Sequence, residues 1–313
     1  MRILVVGAGG IGGYFGARLL EAKRDVTFLV RKERARLLAA NGLNVESPLG
    51  NIAISSPSTV TADALAGPYD LVILSCKAYD LEQAMADFAP AVGPATLVLP
   101  LLNGMRHLDI LDNRFGAANV LGGLALISVV LSDGGLIRHL SPLQKMTVGA
   151  RLPEQAAAFE AVGKALADAG FDLQLEADIL QAMWEKWVFI ATAAALTALM
   201  RGPVGDIVAA GGSDIAVALL NECAGIARCS GYAPSQTSLS QWRSMFTDGS
   251  SALTASLFRD IEGGGRIEAD HLIGDLLRRE EVANPISVLR VAYVHMKTYE
   301  ARRAREAAIG SAR

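Results

Sequence analysis

The sequence has few of the residues that build a disulfide framework or a metal site. Its three cysteines, Cys76, Cys223 and Cys229, form neither a CxxC motif nor a paired framework, which fits a reducing compartment. The four histidines, at 107, 139, 271 and 295, are scattered, and no metal-ligand spacing is readable. Neither sign of charge dominates: 29 basic against 32 acidic side chains leave a formal net charge of −3. That balance argues against a dedicated binder of nucleic acid or anionic membrane, since such binders need a concentrated basic face. Membrane-length apolar runs are missing too. The run Trp187 to Met200 has 14 residues, short of the ~20 that span a bilayer, and reads as a buried helix. The opening Met-Arg-Ile-Leu-Val-Val resembles a secretory signal, but the glycines behind it and Arg18 suit a strand and a loop better. The expectation is a cytoplasmic protein without membrane or nucleic-acid partners.

What is present is apolar and long. With 313 residues, 51% of them hydrophobic, the chain is not disordered. It exceeds the roughly 250 to 300 residues at which one core stops growing, so two domains are expected. The first half alternates short apolar runs with amphipathic segments, the pattern of a parallel sheet covered by helices. Strands are expected at Ile3 to Val6, Val26 to Val30, Leu71 to Ser75 and Leu97 to Leu101, and helices at Gly12 to Ala22, Glu33 to Ala40 and Leu81 to Phe88. Leu43 to Ser47 and Asn51 to Ser55 read as a hairpin at an edge of that sheet. Val120 to Val130 continues the sheet and returns antiparallel through Met146 to Gly149. Beyond Arg151 the texture becomes Ala- and Leu-rich. A helix over 154–169, a short strand over 171–175 and a long helix over 176–200 precede further helices at about 213–230, 252–260, 266–283 and 286–305. The fold class is α/β, an N-terminal Rossmann dinucleotide-binding domain at 1–175 followed by an all-helical C-terminal domain at 176–313.

Gly7-Ala8-Gly9-Gly10-Ile11-Gly12 matches GxGxxG directly after a strand and at the opening of a helix. There Gly7 permits a tight turn, Gly9 lets the backbone approach a pyrophosphate and Gly12 lets the helix pack closely on the strand, while the helix N-terminus supplies free N–H groups to the anion. A site selective for NAD would place Asp or Glu at the end of the second strand, about 20 residues on. Here that place holds Arg31, followed by Lys32 and Arg34, donors suited to a 2′-phosphate. NADP(H) is therefore the expected cofactor. A solvated basic helix start is the plainer alternative for these cations. Lys77 and Asn103, behind later strands, fall on the rim where open α/β sheets bind ligands, or are ordinary loop residues.

Taken together, GAGGIGGYFGARLL, Arg31, SCKAYD, LNGM, WEKW and SLFRDIEGGGRIEADHLIG resemble the 2-dehydropantoate 2-reductase (ketopantoate reductase) family over residues 1 to about 300. The resemblance implies a Rossmann domain, a helical domain, a cleft between them, and NADPH-dependent reduction of a 2-oxo acid to a 2-hydroxy acid, a step of pantothenate biosynthesis. It implies that Lys186 is the catalytic lysine. An ammonium near the ketone stabilises the charge that hydride attack builds on oxygen and delivers the proton; burial between Trp184 and Trp187 would ease its deprotonation. By the same resemblance Glu268 contacts substrate and helps to position the lysine, Ser256 and Asn103 bind substrate, and Asn103 and Lys77 border the cofactor along with Gly7, Gly9, Gly10, Ile11, Gly12 and Arg31. Singly, these residues have plainer readings: a surface lysine paired with Glu185 or Asp178, a helix-start charge, a helix-face hydroxyl.

The chain departs from the family pattern four and eight residues beyond the lysine, where asparagines are replaced by Ile190 and Ala194. Thr197 is the nearest polar group left on that stripe. The departure favours an apolar or aromatic 2-oxo acid, as in the branch resembling D-mandelate-type dehydrogenases. A non-catalytic NADPH sensor is the alternative from another class, and retention of Lys186, Ser256 and Glu268 speaks against it. A small-molecule 2-oxo acid is the expected partner, no metal is expected, and a homodimer is left open.

Overall fold

The computed structural model describes residues 1–280 and 286–310. Contacts divide the chain into two compact units. The first comprises Met1–Leu102 and Arg106–Ile179, and the second Asn103–Met105 and everything from Leu180 onward.

In the first unit the order is β1 (Arg2–Val6), α1 (Gly10–Glu21), β2 (Asp25–Leu29), α2 (Lys32–Asn41), β3 (Leu43–Glu46), β4 (Ile52–Ile54), β5 (Thr59–Val60), β6 (Leu71–Leu74), α3 (Leu81–Phe88), β7 (Leu97–Pro100), α4 (Arg106–Phe115), β8 (Gly122–Leu131), β9 (Ile137–Gly149), α5 (Ala156–Leu166) and β10 (Asp172–Leu175). One all-parallel sheet runs β5-β2-β1-β6-β7. Numbered by chain order within the sheet this is 3-2-1-4-5, the doubly wound order, with its reversal between β1 and β6. Ile3, Leu4, Val5 and Leu71 to Leu74 are at most 1% exposed, which is why these strands read as unbroken apolar runs rather than alternating ones.

A second sheet, β10-β9-β3-β4 with β8 on β9, corrects two expectations, while the antiparallel return from β8 to β9 is as expected. The hairpin β3–β4 does not edge the first sheet; Val45 and Glu46 pair in parallel with Ile137 and Arg138 of β9. Likewise β8 and β10 pair with β9. Single strands carry no mark of which sheet they will join, because partner choice is a long-range matter. Helix α1 packs on β1 and β2 of one sheet and on β8 and β9 of the other, which explains its small residues. A Cβ on Gly13 would stand 2.3 Å from Ile137 Cδ1, and one on Gly16 2.5 Å from the Phe28 ring.

The second unit is helical: α6 (Ile179–Met200), which begins at the last residue of the first unit, α7 (Val204–Ala209), α8 (Ser213–Cys229), α9 (Gln236–Phe246), α10 (Ser256–Glu262), a π-helical turn (Asp270–Gly274) running into α11 (Asp275–Arg278), and α12 (Val288–Gly310). The expected helices near 213–230 and 286–305 are present as α8 and α12. Helices α4, α7 and α9 had no counterpart in the sequence reading. The expected helix over 266–283 begins only at Ala269 and ends at Arg278, and its last positions, 281–283, lie outside the described residues. Glu222 of α8 caps α12, its carboxylate accepting from the Val288 and Leu289 amides at 3.0 and 2.8 Å. Among the described residues no helix is long and apolar enough to cross a membrane.

Candidate functional site

The glycine loop joins β1 to α1. Gly7 has φ +91°, which a side chain would strain, and its N–H donates to Leu29 O at 2.9 Å, tying the loop to the end of β2. Gly12 is walled in: a Cβ there would lie 2.2 Å from Ser75 Oγ and 2.3 Å from Gly7 O. Ser75 in turn donates to Val6 O at 3.2 Å, joining the ends of β6 and β1. Gly9, the residue preceding α1, has no heavy atom within 4 Å of where a Cβ would stand. An open face over the free amides of a helix start is what a pyrophosphate requires, so these residues fit a dinucleotide. Gly10 and Ile11 are half-buried, and the Ile11 side chain packs on the core.

The three cations behind β2 part company. Arg31 is exposed and pairs with Asp80, Nη2 to Oδ1 at 3.2 Å; Lys32 pairs with Asp63 at 3.8 Å. Arg34 turns inward, donating from Nε to Ala8 O at 3.0 Å and from Nη1 to Gly135 O at 3.2 Å, and burial lowers its pKa. It braces the glycine loop against the β8–β9 turn, and its buried Nη2 has no hydrogen-bond partner among the described residues. Lys77 follows β6 and is half-buried, its carbonyl accepting from the Asp80 amide at 2.9 Å.

In the second unit α6 carries Lys186. The ammonium is desolvated by the protein around it, which pushes its pKa down to about 8, while the charge of Glu268 acts in the opposite direction. Glu185 is engaged elsewhere, accepting from Ser235 N at 2.9 Å and Ser238 Oγ at 3.0 Å. Trp184 and Trp187, 1% and 0% exposed, flank Lys186 along the helix, and Arg279 lies 5.6 Å from both rings. The Trp187 indole donates to Leu272 O at 2.8 Å, within the π-helical turn that follows Glu268, and the Leu272 amide donates to Glu268 O at 2.9 Å. The tripeptide Asn103–Met105 belongs to this unit although its chain neighbours do not. Its Gly104, at φ +77°, lies against His271 and Trp187: a Cβ there would be 3.2 Å from His271 O and 3.6 Å from Trp187 Nε1.

The structure thus couples Lys186 with Glu268 and draws the loop of half-buried Asn103 to their neighbours. Ser256 is exposed at the first turn of α10. Its neighbour Ala255 donates to Thr197 Oγ1 at 3.3 Å, which ties the start of α10 to the later part of α6. Ile190 is half-buried and Ala194 is 1% exposed. Thr197 donates to Ala193 O at 2.7 Å as well as accepting from Ala255, which leaves it poorly placed to stand in for the missing amides. Sequence reasoning missed Asp80, the Trp187 bond and the π-helical turn. Asp80 stood in view inside SCKAYD without a role; the other two have no local signature.

Models of the family described as ketopantoate reductase PanE/ApbA match residues 3–152, and its C-terminal part matches residues 178–300. An uncharacterized oxidoreductase of Bacillus subtilis, YkpB, is 36% identical over 96% of this chain and 99% of its own length. A crystal structure of 2-dehydropantoate 2-reductase from Geobacter metallireducens superposes with a TM-score of 0.85 at 26% identity, covering 95% of this chain and 99% of that one. A D-mandelate dehydrogenase ternary structure has the same fold, with a TM-score of 0.86 at 20% identity over 97% of this chain and 99% of that one.

Proposed function

This chain belongs to the PanE/ApbA ketopantoate reductase family and is an NAD(P)-dependent oxidoreductase of 2-oxo acids, and from that membership we propose that it uses NADPH to reduce 2-dehydropantoate or a related 2-oxo acid to the 2-hydroxy acid. The observation that carries the proposal is Lys186, a desolvated ammonium with a pKa of about 8 and Glu268 as its opposing charge. A bound NADPH supplies a hydride to the carbonyl carbon. Lys186 holds a proton near neutral pH and releases it readily, so it can stabilise the oxygen as negative charge grows there and then protonate it. Glu268 keeps the lysine charged against its surroundings. On the cofactor side, the open face over Gly9 would receive the pyrophosphate, with Gly7 and Gly12 shaping the turn and the close helix start beneath it, Arg31 would be the donor for a 2′-phosphate, and Lys77 would border the dinucleotide.

Consumption of NADPH with a panel of 2-oxo acids tests this reading. Lys186→Ala is expected to lose about 10²- to 10⁴-fold in turnover with cofactor affinity kept, and a variant retaining most of its activity would move the proton donor elsewhere.

Within that activity, the Lys186 stripe favours apolar substrates. One and two turns beyond the lysine stand Ile190 and Ala194, and the Thr197 hydroxyl is already bonded to backbone. An unmatched buried hydroxyl costs about 1–3 kcal/mol, so aromatic or branched 2-oxo acids are expected to exceed 2-dehydropantoate in kcat/KM by about tenfold. Ile190→Asn is expected to narrow that gap. Ala194→Asn is the poorer test, since Ala194 is 1% exposed and an added amide has to force its way into packed surroundings.

A further inference from the structure

Arg31, the cation that the sequence offers to a 2′-phosphate, already has a counter-ion. Its Nη2 lies 3.2 Å from Asp80 Oδ1, with side chains 71% and 29% exposed respectively. Arg31 follows β2 and Asp80 follows β6, so the pair stands at the carboxyl ends of the parallel strands, where open sheets take their ligands. Asp80 is also unusual where it stands. It precedes α3, a place where aspartate ordinarily accepts a hydrogen bond from an amide of the first turn, yet its side chain makes no capping bond. Its backbone is held by the bond from its N–H to Lys77 O. The turn after β6 thus brings one carboxylate oxygen to Arg31.

We propose that Asp80 is a specificity-determining residue for the cofactor, a carboxylate that competes with the 2′-phosphate for Arg31 and so limits the preference for NADPH over NADH. The inference rests on the NADPH reading of Arg31. A phosphate dianion has to share or displace Asp80 at the guanidinium and meets its negative charge. A ribose 2′-hydroxyl is neutral and leaves the ion pair as it is. Exposed ion pairs are weak, so the carboxylate tempers phosphate binding without blocking it. Arg34 offers a phosphate less than Arg31 does, because its Nε and Nη1 are bonded to Ala8 O and Gly135 O and only its buried Nη2 is left unpaired among the described residues.

Fluorescence titration of the full-length protein with NADPH and with NADH tests the proposal in wild type, Asp80→Asn, Arg31→Ala and the double variant. Asp80→Asn is expected to tighten NADPH about tenfold while changing NADH less than about twofold, and the gain is expected to vanish in the Arg31→Ala background. Asp80→Ser, neutral and able to cap, is expected to behave like Asp80→Asn, which separates charge from fold. A ratio of affinities unmoved by either substitution overturns the proposal, as does a gain that persists without Arg31. If Arg31→Ala weakens NADPH and Asp80→Asn does nothing, this inference alone fails. If Arg31→Ala leaves NADPH binding intact, the NADPH reading fails and the inference with it.

Discussion

An ammonium at position 186 is costly where it stands, because desolvation holds its pKa at about 8 against the ordinary lysine value, and Glu268 offsets only part of that effect. Below pH 8 the lysine is charged in both folded and unfolded chains, and the penalty is present in full. Between about 8 and the unfolded value of ~10.4 the unfolded chain binds more protons, so this contribution to stability improves as pH rises through that window. Lys186→Met is accordingly expected to stabilise the fold at pH 7 by ~2 kcal/mol, read from denaturant unfolding, while abolishing activity. The same pKa governs catalysis with the opposite sense. Reduction requires the protonated lysine, so kcat/KM is expected to fall above about pH 8. Removing the charge that supports the ammonium, with Glu268→Gln, is expected to move this limb to lower pH. A limb that stays in place would show that Glu268 does not set the proton affinity of Lys186.

At the scale of the element, the β1–α1 junction separates two duties of glycine that the GxGxxG pattern runs together. Gly9→Ala introduces a methyl group where no heavy atom lies within 4 Å, whereas Gly12→Ala drives one to 2.2 Å from Ser75 Oγ and 2.3 Å from Gly7 O. The first is expected to leave the melting temperature nearly unchanged and to weaken dinucleotide binding. The second is expected to lower both, with a loss of about 2–3 kcal/mol in stability, since neighbouring backbone has to shift. Equal effects of the two substitutions on Tm would contradict this division. Helix α1 was legible because its strand-loop-helix signal is local. What crowds its further glycines at 13 and 16 was not legible, because Ile137 and Phe28 belong to strands of two different sheets. The long helix α6 was legible from its apolar run, though it starts at Ile179 rather than at 176. The π-helical turn was not, since its carbonyl at Leu272 finds a partner in Trp187, 85 residues away in sequence.

On the scale of the whole molecule, the division of the chain does not follow a single cut. A boundary near residue 175 leaves Asn103–Met105 with the first unit, whereas their contacts place them in the second. A fragment of residues 180–313 is therefore expected to lack the cover that Gly104 gives Trp187, and its tryptophan emission should be red-shifted relative to the intact chain. Emission identical to that of the full protein would mean that the tripeptide contributes nothing to the burial of Trp187. By itself the sequence determined the succession of apolar strands and helices, the glycine loop that opens α1, the cationic end of β2 and the placement of Lys186 on a helix between two tryptophans. All of these depend on residues within a turn or two of each other, where hydrophobic period and backbone sterics act directly. The tertiary structure alone decided that β3, β4, β8, β9 and β10 form a second sheet, that Arg31 faces Asp80 while Arg34 turns inward, and that residues 103–105 gather at α6. Those outcomes depend on which distant groups share a surface once the core has closed, and packing and charge pairing across tens of residues leave no periodic trace along the chain.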